Sequence, residues 1–234
     1  MIFFIFLQSE LFNPEQILKF ADYLYLQEDY NSAVNEYRRY LFLSDSNRTE
    51  IYEKIIDCFV RLKRYDEAIK IADVMDDSIV ALYTKSKIYL SKGDYPVVRK
   101  LLEDMMYDTS SKQLIGLSYV GEFNFLKAKE FIDLPKPLPN LKSPLLGGLL
   151  SLFPGGGHFY CKKVGDGIYS MLVVTSAALI SYYYHHNNEQ TKFYTALGFA
   201  LFFYAGNIYG GINAVRNYNY YENTKYRAII FNQH

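Results

Sequence analysis

Tryptophan is absent from this sequence of 234 residues, cysteine occurs only twice, and no histidine precedes His158. The two cysteines, Cys58 and Cys161, lie far apart, which does not fit a disulfide framework. Cys58 falls on an apolar helical stripe, where we expect a small core residue. No group of residues in the sequence has the composition of a catalytic site, so we expect a protein that is not an enzyme and that uses no cofactor.

An excess of charge of one sign is also missing. The formal net charge is zero, from 25 basic and 25 acidic residues. Residues 143–234 hold only 6 Lys or Arg and 3 Asp or Glu, whereas residues 1–142 hold 19 and 22. Neither part has the dense basic face of a nucleic-acid-binding protein, so no nucleic-acid partner is expected. Half of the residues are apolar and 18% are aromatic, which excludes a disordered chain.

A phrase with an aromatic residue near its start recurs along the first two-thirds of the chain. Its copies are EDYNSAVNEY (28–37), KRYDEAIKIA (63–72), KGDYPVVRKLL (92–102) and, more weakly, VGEFNFLKAKEF (120–131). The separations of the aromatic markers, 35, 30 and 28 residues, are close to the roughly 34 residues of a tetratricopeptide unit. The markers are Tyr30, Tyr65, Tyr95 and Phe123.

Residues 14–131 resemble tetratricopeptide (TPR) repeats, in which small residues let two helices approach closely while large side chains fill the grooves beside them. Pro14 suits the first turn of a helix, where its missing N–H costs nothing. Leu24 stands where the family usually has an aromatic residue, and Val98 where it usually has Ala. The residues expected to form the repeat packing are Ala21, Leu24, Tyr30, Ala33, Tyr37, Phe59, Tyr65, Ala68, Ala72, Tyr89, Gly93 and Tyr95.

The resemblance implies an all-α fold of three to four stacked helical hairpins, a number sufficient to bury a continuous core. The fourth unit is degenerate and is expected to cap the array. Stacked hairpins offer a concave surface to a peptide or a partner helix, so a protein partner of unknown identity is expected. The acidic residues at 76–77 and 103–104 lie in surface-like charged runs, where we expect a solvated face rather than an acid–base pair.

A proline-rich segment divides the chain. LPKPLPNLKSP (134–144) has four prolines in eleven residues, and proline both removes a backbone donor and clashes inside a helix. We therefore expect a stiff, extended linker over residues 134–143.

Beyond the linker the sequence loses most of its charge. PLLGGLLSLF (144–153) is apolar, a glycine-rich break follows at 154–167, and uncharged runs of 17 and 21 residues occupy 168–184 and 193–213. Runs of this length match the roughly 17–25 residues of a membrane-spanning helix. Residues 185–192 would form a polar tip between them, flanked by aromatic residues as at a membrane interface. We expect a membrane hairpin, because residues 168–184 carry no charge on any helical face; a buried soluble hairpin is the alternative.

The segment PGGGHFYCKKVGDGIYSML (154–172) resembles the loop of the small two-transmembrane-helix domain family. The family motif runs Gly-x-x-Gly-x-His-x-Phe-Tyr-x-Gly, followed by a Gly that opens the next helix. Here the Phe-Tyr pair follows the His directly, Cys-Lys-Lys replaces the usual residues, and the second helix lacks the Asp near its end. That family has no established catalytic chemistry to carry over. The loop-motif residues are Pro154, Gly155, Gly157, His158, Phe159, Tyr160, Gly165 and Gly167.

Neither a metal site nor a phosphate loop is expected in this glycine-rich segment. His158 and Cys161 are three residues apart, but two ligands do not make a metal site. The glycines are not followed by the Gly-Lys-Ser/Thr of a phosphate loop. We expect them to let the backbone turn at the membrane surface.

Small residues recur at multiples of four along the last apolar run, where they would share a face suited to close helix packing. Polar residues at membrane depth usually face a partner helix rather than lipid. The predicted partner is residues 168–184, with another chain as the alternative. The residues expected in this packing are Gly198, Gly206, Gly210, Asn207 and Asn213.

Basic residues lie at one end of the predicted hairpin. The positive-inside rule places this end and the C-terminus in the cytoplasm, and the predicted location is a bacterial inner membrane. The repeats are cytoplasmic if residues 144–160 only lie in the interface and periplasmic if these residues cross; the loop resemblance and a signal-like start favour the crossing. The basic residues are Lys162, Lys163, Arg216, Lys225 and Arg227.

The N-terminus, MIFFIFLQSELF, opens with seven apolar residues and no basic region. It is either the remnant of a signal peptide that starts upstream or a frayed apolar strand or helix end that packs on the first repeat. The predicted organisation is an apolar N-terminus at 1–13, repeats at 14–133, a linker at 134–143, a membrane domain at 144–215 with helices at about 168–184 and 193–213, and a polar tail at 216–234.

Two functions fit these features. The first is a non-enzymatic, membrane-anchored scaffold whose repeats bind a protein partner beside the membrane. The second is a structural subunit or assembly factor of a membrane complex that acts mainly through its transmembrane helices. Membrane lipid is expected as a further partner, and the sequence predicts no particular oligomeric state.

Overall fold

The computed structural model describes residues 13–44, 46 and 48–233. The fold is all-α, as predicted, and the described residues form no β-strand. The two interpretations of the N-terminal apolar stretch concern residues 1–12, which lie outside the described part of the chain. The chain divides into two compact units, Met1–Leu134 and Pro135–His234.

The first unit is a series of helical hairpins. Each helix packs against its neighbours in the sequence, and the first helices of the second, third and fourth pairs also contact one another in turn. A short 3₁₀ helix, Glu103–Met105, follows the third pair. The helices are α1 (Pro14–Leu26), α2 (Tyr30–Leu43), α3 (Arg48–Arg61), α4 (Tyr65–Ala72), α5 (Ser78–Lys92), α6 (Tyr95–Leu101), α7 (Thr109–Gly121) and α8 (Phe125–Ala128).

The same turn joins the two helices of every pair. In each pair, one residue adopts a left-handed backbone conformation two positions before the second helix begins. A single left-handed residue is a common way to end one helix before the next begins. These residues are Glu28 (φ 62°), Lys63 (φ 58°), Gly93 (φ 84°) and Phe123 (φ 61°).

This turn corrects the fourth aromatic marker of the sequence analysis. Phe123 occupies the left-handed turn position, and the residue equivalent to Tyr30, Tyr65 and Tyr95 is Phe125, which opens α8. Phe125 lies 30 residues after Tyr95, so the last two spacings are equal. The fourth pair is therefore in register with the third rather than drifting shorter.

A small buried residue stands three positions after each of these aromatic residues. Ala33, Ala68, Val98 and Ala128 are all completely buried. Because their side chains are small, the second helix of each pair lies close to its neighbours, and larger side chains fill the space on either side.

The second unit contains two short helices and two long ones. They are α9 (Pro144–Leu150), α10 (Gly156–Tyr160), α11 (Val164–His186) and α12 (Gln190–Phe231). Residues 144–160, which we call the short hairpin, fold back on themselves and pack along α12. The seven residues of α9 rise about 10 Å, far less than the ~30 Å of a hydrocarbon core. The short hairpin therefore forms no spanning helix, and the geometry does not support the predicted crossing.

The long helices extend beyond the predicted bounds. The chain passes from α11 to α12 through the same left-handed turn as in the first unit, here at Asn188 (φ 57°). α12 continues through most of the segment predicted as a polar tail, 216–234, and ends at Phe231. Its last turns hold the linker: Asn219 exchanges two hydrogen bonds with the backbone of Lys142 (2.8 and 2.7 Å), and the Tyr226 hydroxyl donates to the Pro135 carbonyl.

Candidate functional site

The predicted repeat-packing residues form the core of the first unit. Those with less than 2% of their surface exposed are Ala21, Ala33, Tyr37, Phe59, Ala68 and Ala72. Leu24, Tyr30 and Tyr65 are half-buried and pack against them, and Tyr89 packs in the next cluster along the array. Gly93 caps α5 in a left-handed conformation, and Tyr95 lies so close to Gly121 that any side chain there would overlap its ring.

Cys58 belongs to the same core, where it is fully buried. Removal from water disfavours the thiolate and raises the pKa of this thiol to about 12. A protonated, inaccessible thiol is a poor nucleophile, so the core position leaves Cys58 a packing role.

The first helices of the first three pairs line one continuous groove, which we call the helical groove. It holds a cavity of about 530 Å³ between α1, α2 and α3 and another of about 290 Å³ between α3 and α5. Glu53 and Asp57, both on α3, line both cavities. The groove therefore crosses α3 and extends over three hairpins.

One polar cluster lies at the end of the groove formed by α1, α2 and α3. The buried Tyr37 hydroxyl donates to the Asp22 carboxylate (2.6 Å), which also accepts a hydrogen bond from Lys54 (2.8 Å). Burial and the adjacent carboxylate raise the pKa of Tyr37. The Tyr37 phenol therefore stays a hydrogen-bond donor at physiological pH and holds Asp22 in place between α1 and α3.

A second polar cluster lies one turn along α3. Tyr25 donates to the Asp57 carboxylate, and the Arg61 guanidinium donates to the same group at 2.7 Å. Arg61 also lies over the rings of Tyr25 and Tyr30, 5.3 and 5.6 Å from their centroids. The hydrogen bond to Asp57 raises the pKa of Arg61, so this side chain remains a fixed cation at the edge of the groove.

The groove carries unused charge of both signs, with an excess of acid. Its lining has four acidic and two basic side chains, a formal charge of −2. Glu53 and Lys87 are exposed there and make no ion pair or hydrogen bond with the described residues. Within the described residues these two charges have no partner.

A different kind of site lies in the second unit, where the short hairpin meets α12. Glycines make this contact possible: a side chain at Gly147 would overlap Val215, and one at Gly211 would overlap Ser151. At Gly157 an added carbon would lie only 2.6 Å from the Cα of Gly211. The three glycines let the backbones of α9, α10 and α12 touch.

Asn207 satisfies the backbone of the turn in the short hairpin. It accepts from the Gly155 N–H (2.8 Å), donates to the Ser151 carbonyl (2.6 Å) and accepts from the Ser170 hydroxyl (2.8 Å). Only 4% of Asn207 is exposed. The Ser151 hydroxyl accepts from the Gly157 N–H (3.1 Å) and donates to the Gly147 carbonyl (2.9 Å). A buried turn thus has partners for its polar groups, as an interior requires.

The loop-motif residues lie in and around this turn. Gly155 is left-handed (φ 83°), and a side chain there would overlap the Gly167 carbonyl. Gly167 packs on Phe159, with 2.5 Å between the Phe159 ring and an added side-chain carbon. Pro154 precedes Gly155 in the turn, and Gly165 has open space around it in the first turn of α11.

His158 and Tyr160 point to two different neighbours. Gly210 faces the His158 imidazole, whose Nε2 would lie 3.2 Å from an added side-chain carbon. The Lys142 ammonium donates to the Tyr160 carbonyl and lies 4.7 and 4.6 Å from the ring centroids of Tyr160 and Tyr218. Tyr160 therefore helps to hold the linker against α12.

The predicted glycine face of the last apolar run is only partly used within the chain. A side chain added at Gly198 or Gly206 would meet nothing within 4 Å, so these glycines do not pack against residues 168–184 as predicted. Asn207 is in the buried network described above, whereas Asn213 is only half-buried. The close contact instead runs through Gly211, which the four-residue spacing missed by one position.

The sequence holds further signs of this network, which the four-residue spacing of glycines does not include. Paired glycines occur at 147–148 and again at 210–211, and they meet where α9 crosses α12. Ser151 and Ser170 are single small polar residues in apolar surroundings. Neither pattern reveals by itself that one asparagine, 37 residues beyond Ser170, joins them.

Comparison of the chain with protein-family models, with curated proteins and with solved structures finds no match. Among the described residues, no three His, Cys, Asp or Glu side chains lie close enough together to hold a metal ion.

Proposed function

We propose that this protein is a non-enzymatic scaffold anchored in a membrane, which holds a segment of a protein partner in its helical groove. The observation that carries the proposal is the groove across α1, α3 and α5, with the unpaired Glu53 and Lys87 exposed in it. Stacked helical hairpins of this kind present concave surfaces to extended or helical segments, and the resemblance to TPR repeats is part of the proposal.

The charges of the groove favour a partner segment with basic residues. Glu53 sits at the centre of the groove and lines both of its cavities. Asp22 and Asp57 already have cationic partners in Lys54 and Arg61. An arriving Lys or Arg would therefore pair with Glu53, while an acidic group pairs with Lys87, and this polarity would orient the segment.

The exposed surface of the second unit supports anchoring in a membrane. α11 and α12 are long and apolar enough to cross one, and only 17% and 11% of their most apolar stretches are buried. A core helix of a soluble protein would bury most of such a stretch. The tip of the short hairpin is equally apolar and open, with Leu152 58% and Phe153 63% exposed. Apolar surface of this extent fits lipid as its solvent.

In this proposal, the path of the short hairpin decides on which side of the membrane the repeats lie. If α11 and α12 cross and the short hairpin only enters the bilayer and returns, the repeats and the C-terminal end of α12 lie on the same side. Lys162, Lys163 and Arg216 lie at this end of the two helices. Since cytoplasmic ends carry an excess of Lys and Arg, the repeats are cytoplasmic in this proposal. Non-helical backbone at membrane depth requires internal partners, which Asn207 supplies.

Membrane anchoring is tested by extraction of the full chain. We expect it to stay in the membrane pellet after a carbonate wash and to be released only by detergent. Release into the supernatant by carbonate would contradict the membrane proposal and leave a soluble hairpin as the interpretation.

The groove is tested by photo-crosslinking in cells, with a crosslinking amino acid at Leu26 or Thr84, which line the two cavities and leave Glu53 and Lys87 in place. We expect a defined adduct with one protein from both positions and none from Lys70 or Lys100, which are exposed on α4 and α6 outside the groove. In a second arm, Glu53→Lys should remove the adduct formed from position 84, whereas Glu130→Lys, an exposed charge reversal outside the groove, should not. Equal labelling from all four positions would contradict a groove-specific partner.

A second function, a structural subunit or assembly factor of a membrane complex, is favoured by one observation. Gly198 and Gly206 leave open space on α12, beside the exposed Phe199 and Phe202. A helix from another chain would pack closely there. Adducts from crosslinkers at α12 but none from the groove would favour this function over the scaffold.

A further inference from the structure

A cavity of about 370 Å³ lies in the second unit, between α11 and α12 and beside the short hairpin. This volume falls in the range of ligand sites, roughly 300–1,000 Å³. We call it the base cavity, because it lies at the end of the helices that carries Lys162 and Lys163. It belongs to neither the helical groove nor the repeat core.

One end of the base cavity is polar and incompletely paired. Asp166, in the first turn of α11, is exposed and makes no ion pair or hydrogen bond with the described residues. The imidazole of His158 also lines the cavity and makes no hydrogen bond there, although its Nδ1 is buried. Asn207 and Ser170, by contrast, use their polar groups on each other and on the turn. Asp166 and His158 therefore remain for a ligand.

The rest of the cavity is apolar and suits a hydrocarbon chain. Val173, Val174, Phe202 and Phe203 form its walls. Phe203 also lines a second cavity, of about 430 Å³, that continues toward the turn between α11 and α12. Gly206 lines the base cavity without filling it, since a side chain at this position would enter open space.

We propose that the base cavity binds a phospholipid with a primary ammonium headgroup, an ethanolamine phospholipid. The ammonium pairs with the Asp166 carboxylate, His158 donates to the phosphate, and the acyl chain lies between α11 and α12 along Phe202 and Phe203. The exposed Lys162 and Lys163, directly before α11, add positive charge at this end of the helices. The binding rests on insertion of α11 and α12 in a membrane but not on the scaffold function.

Charge and hydrogen bonding separate this lipid from its competitors. A glycerol phospholipid is anionic and has no amine, so it would bring no ammonium to Asp166, which would then repel the headgroup. A choline headgroup is cationic but has no N–H to donate to the carboxylate. A cage for quaternary ammonium needs several aromatic rings around the cation, and on α11 the cavity lining offers Tyr169, three residues after Asp166. The primary ammonium alone satisfies the carboxylate by charge and by hydrogen bond.

The test uses the full chain, extracted in detergent, washed free of endogenous lipid and incubated with equal amounts of ethanolamine, choline and glycerol phospholipids. Lipid retained after gel filtration is counted by mass spectrometry. We expect the ethanolamine lipid to be enriched over both others. Loss of one charge-assisted hydrogen bond should lower its retention about tenfold in Asp166→Asn, and Asp133→Asn, an exposed residue of the first unit, should leave it unchanged.

A matched pair of glycine variants separates filling of the cavity from general damage to the helix. A side chain fits without overlap at both Gly206 and Gly198, but only Gly206 lines the base cavity. Gly206→Leu should therefore reduce retention of the ethanolamine lipid, and Gly198→Leu should not. Equal retention of the three lipids, or equal loss in both glycine variants, would overturn the proposal.

The same gel filtration reports the oligomeric state of the protein. It therefore tests whether a second copy of the chain, rather than a lipid, occupies the cavity. If Gly206→Leu turned an oligomer into a monomer with lipid retention unchanged, a helix of a second copy rather than a lipid would occupy the cavity. A chain that carbonate releases from membranes would instead contradict the insertion on which this site rests, independently of any result on the helical groove.

Discussion

The two units use the same turn between helices but differ in what they bury and what they expose. In the first unit, the turns at Glu28 and Lys63 join helices that bury small apolar residues and leave charged pairs at the surface. In the second, the turns at Lys162 and Asn188 join helices that bury an asparagine and leave Leu and Phe side chains outside. The turn is shared, so the units differ in which side chains they bury and which they expose, as the proposed insertion of the second unit in a membrane requires.

That difference decides what holds each unit together. The first unit gains stability by removing apolar surface from water. The second unit buries fewer apolar side chains than the first, and close backbone contact at Gly147, Gly157 and Gly211 and hydrogen bonds to Asn207 add to its packing. Loss of a polar group should therefore damage the second unit most, and loss of close apolar packing should damage the first.

The largest expected effect is that of Asn207→Leu. Leucine is of similar size, but it leaves the Gly155 N–H and the Ser151 carbonyl without partners in a buried turn. Each unpaired buried group costs about 1–3 kcal/mol, so with two such groups the second unit should lose about 2–6 kcal/mol. Thermal unfolding of the full chain in detergent, followed by circular dichroism, should show an earlier loss of helix.

Asn213→Leu is the matched control. Asn213 lies on the same helix and is half-buried, outside the hydrogen-bond network of the short hairpin. The unfolding temperature of the Asn213→Leu variant should lie within a few degrees of that of the wild type. If both asparagine variants unfolded alike, the hydrogen bonds of Asn207 would add little and apolar packing would hold the short hairpin.

A smaller effect is expected from Ala68→Leu in the first unit. Ala68 is completely buried where α4 approaches its neighbours. Three added carbons overpack this contact, which should cost about 1–3 kcal/mol in the free energy of unfolding. Lys100→Leu introduces the same side chain at an exposed position of α6 and should cost much less. Chemical denaturation of the full chain in detergent measures both; equal midpoints would show that the position tolerates a larger side chain.

The two units also differ in how much of them the sequence could predict. In the first unit, the repeated phrase located the second helices, and small residues such as Ala33 and Ala68 fall at the buried crossings. This worked because each repeat contacts mainly its neighbours, so local periodicity carries the packing. The assignment of Phe123 failed because the equivalence of turns is a property of the backbone: Glu28, Lys63 and Phe123 share a conformation but no chemistry.

In the second unit, composition predicted the two long helices but not what packs on them. The four-residue spacing selected Gly206 and Gly210, whereas the close contact uses Gly211. Periodicity identifies faces of one helix, and it does not reveal which face a short hairpin 50 or more residues earlier will occupy. The helical path of residues 216–231 was missed for a similar reason, because its partners are the linker backbone at Lys142 and Pro135.

The smallest expected effect is a pH dependence confined to the first unit. Asp108 caps α7: its carboxylate accepts from the backbone of Ser110 (2.8 Å) and Ser111 (3.1 Å) and from the Tyr83 hydroxyl (2.8 Å). These hydrogen bonds, that of Tyr83 foremost, hold the pKa of Asp108 below its usual range. A carboxyl whose pKa is lower in the folded state than the ~3.9 of the unfolded chain stabilises the fold above that pH. The contribution is lost as the pH falls through the folded pKa.

Asp108→Asn tests this capping interaction. Asparagine still caps a helix but does not titrate, so between pH 5 and 3, the window set by the ordinary aspartate pKa of about 3.9, the variant should lose less stability than the wild type. Asp94→Asn is the control, because Asp94 precedes α6 without a capping hydrogen bond from its side chain. Denaturation midpoints of the full chain at pH 7, 5, 4 and 3 should separate Asp108→Asn from wild type and from Asp94→Asn only at the acid end. If Asp108→Asn followed the wild type down to the lowest pH, the folded and unfolded pKa of Asp108 would be equal, and the capping hydrogen bonds would not favour its charged form.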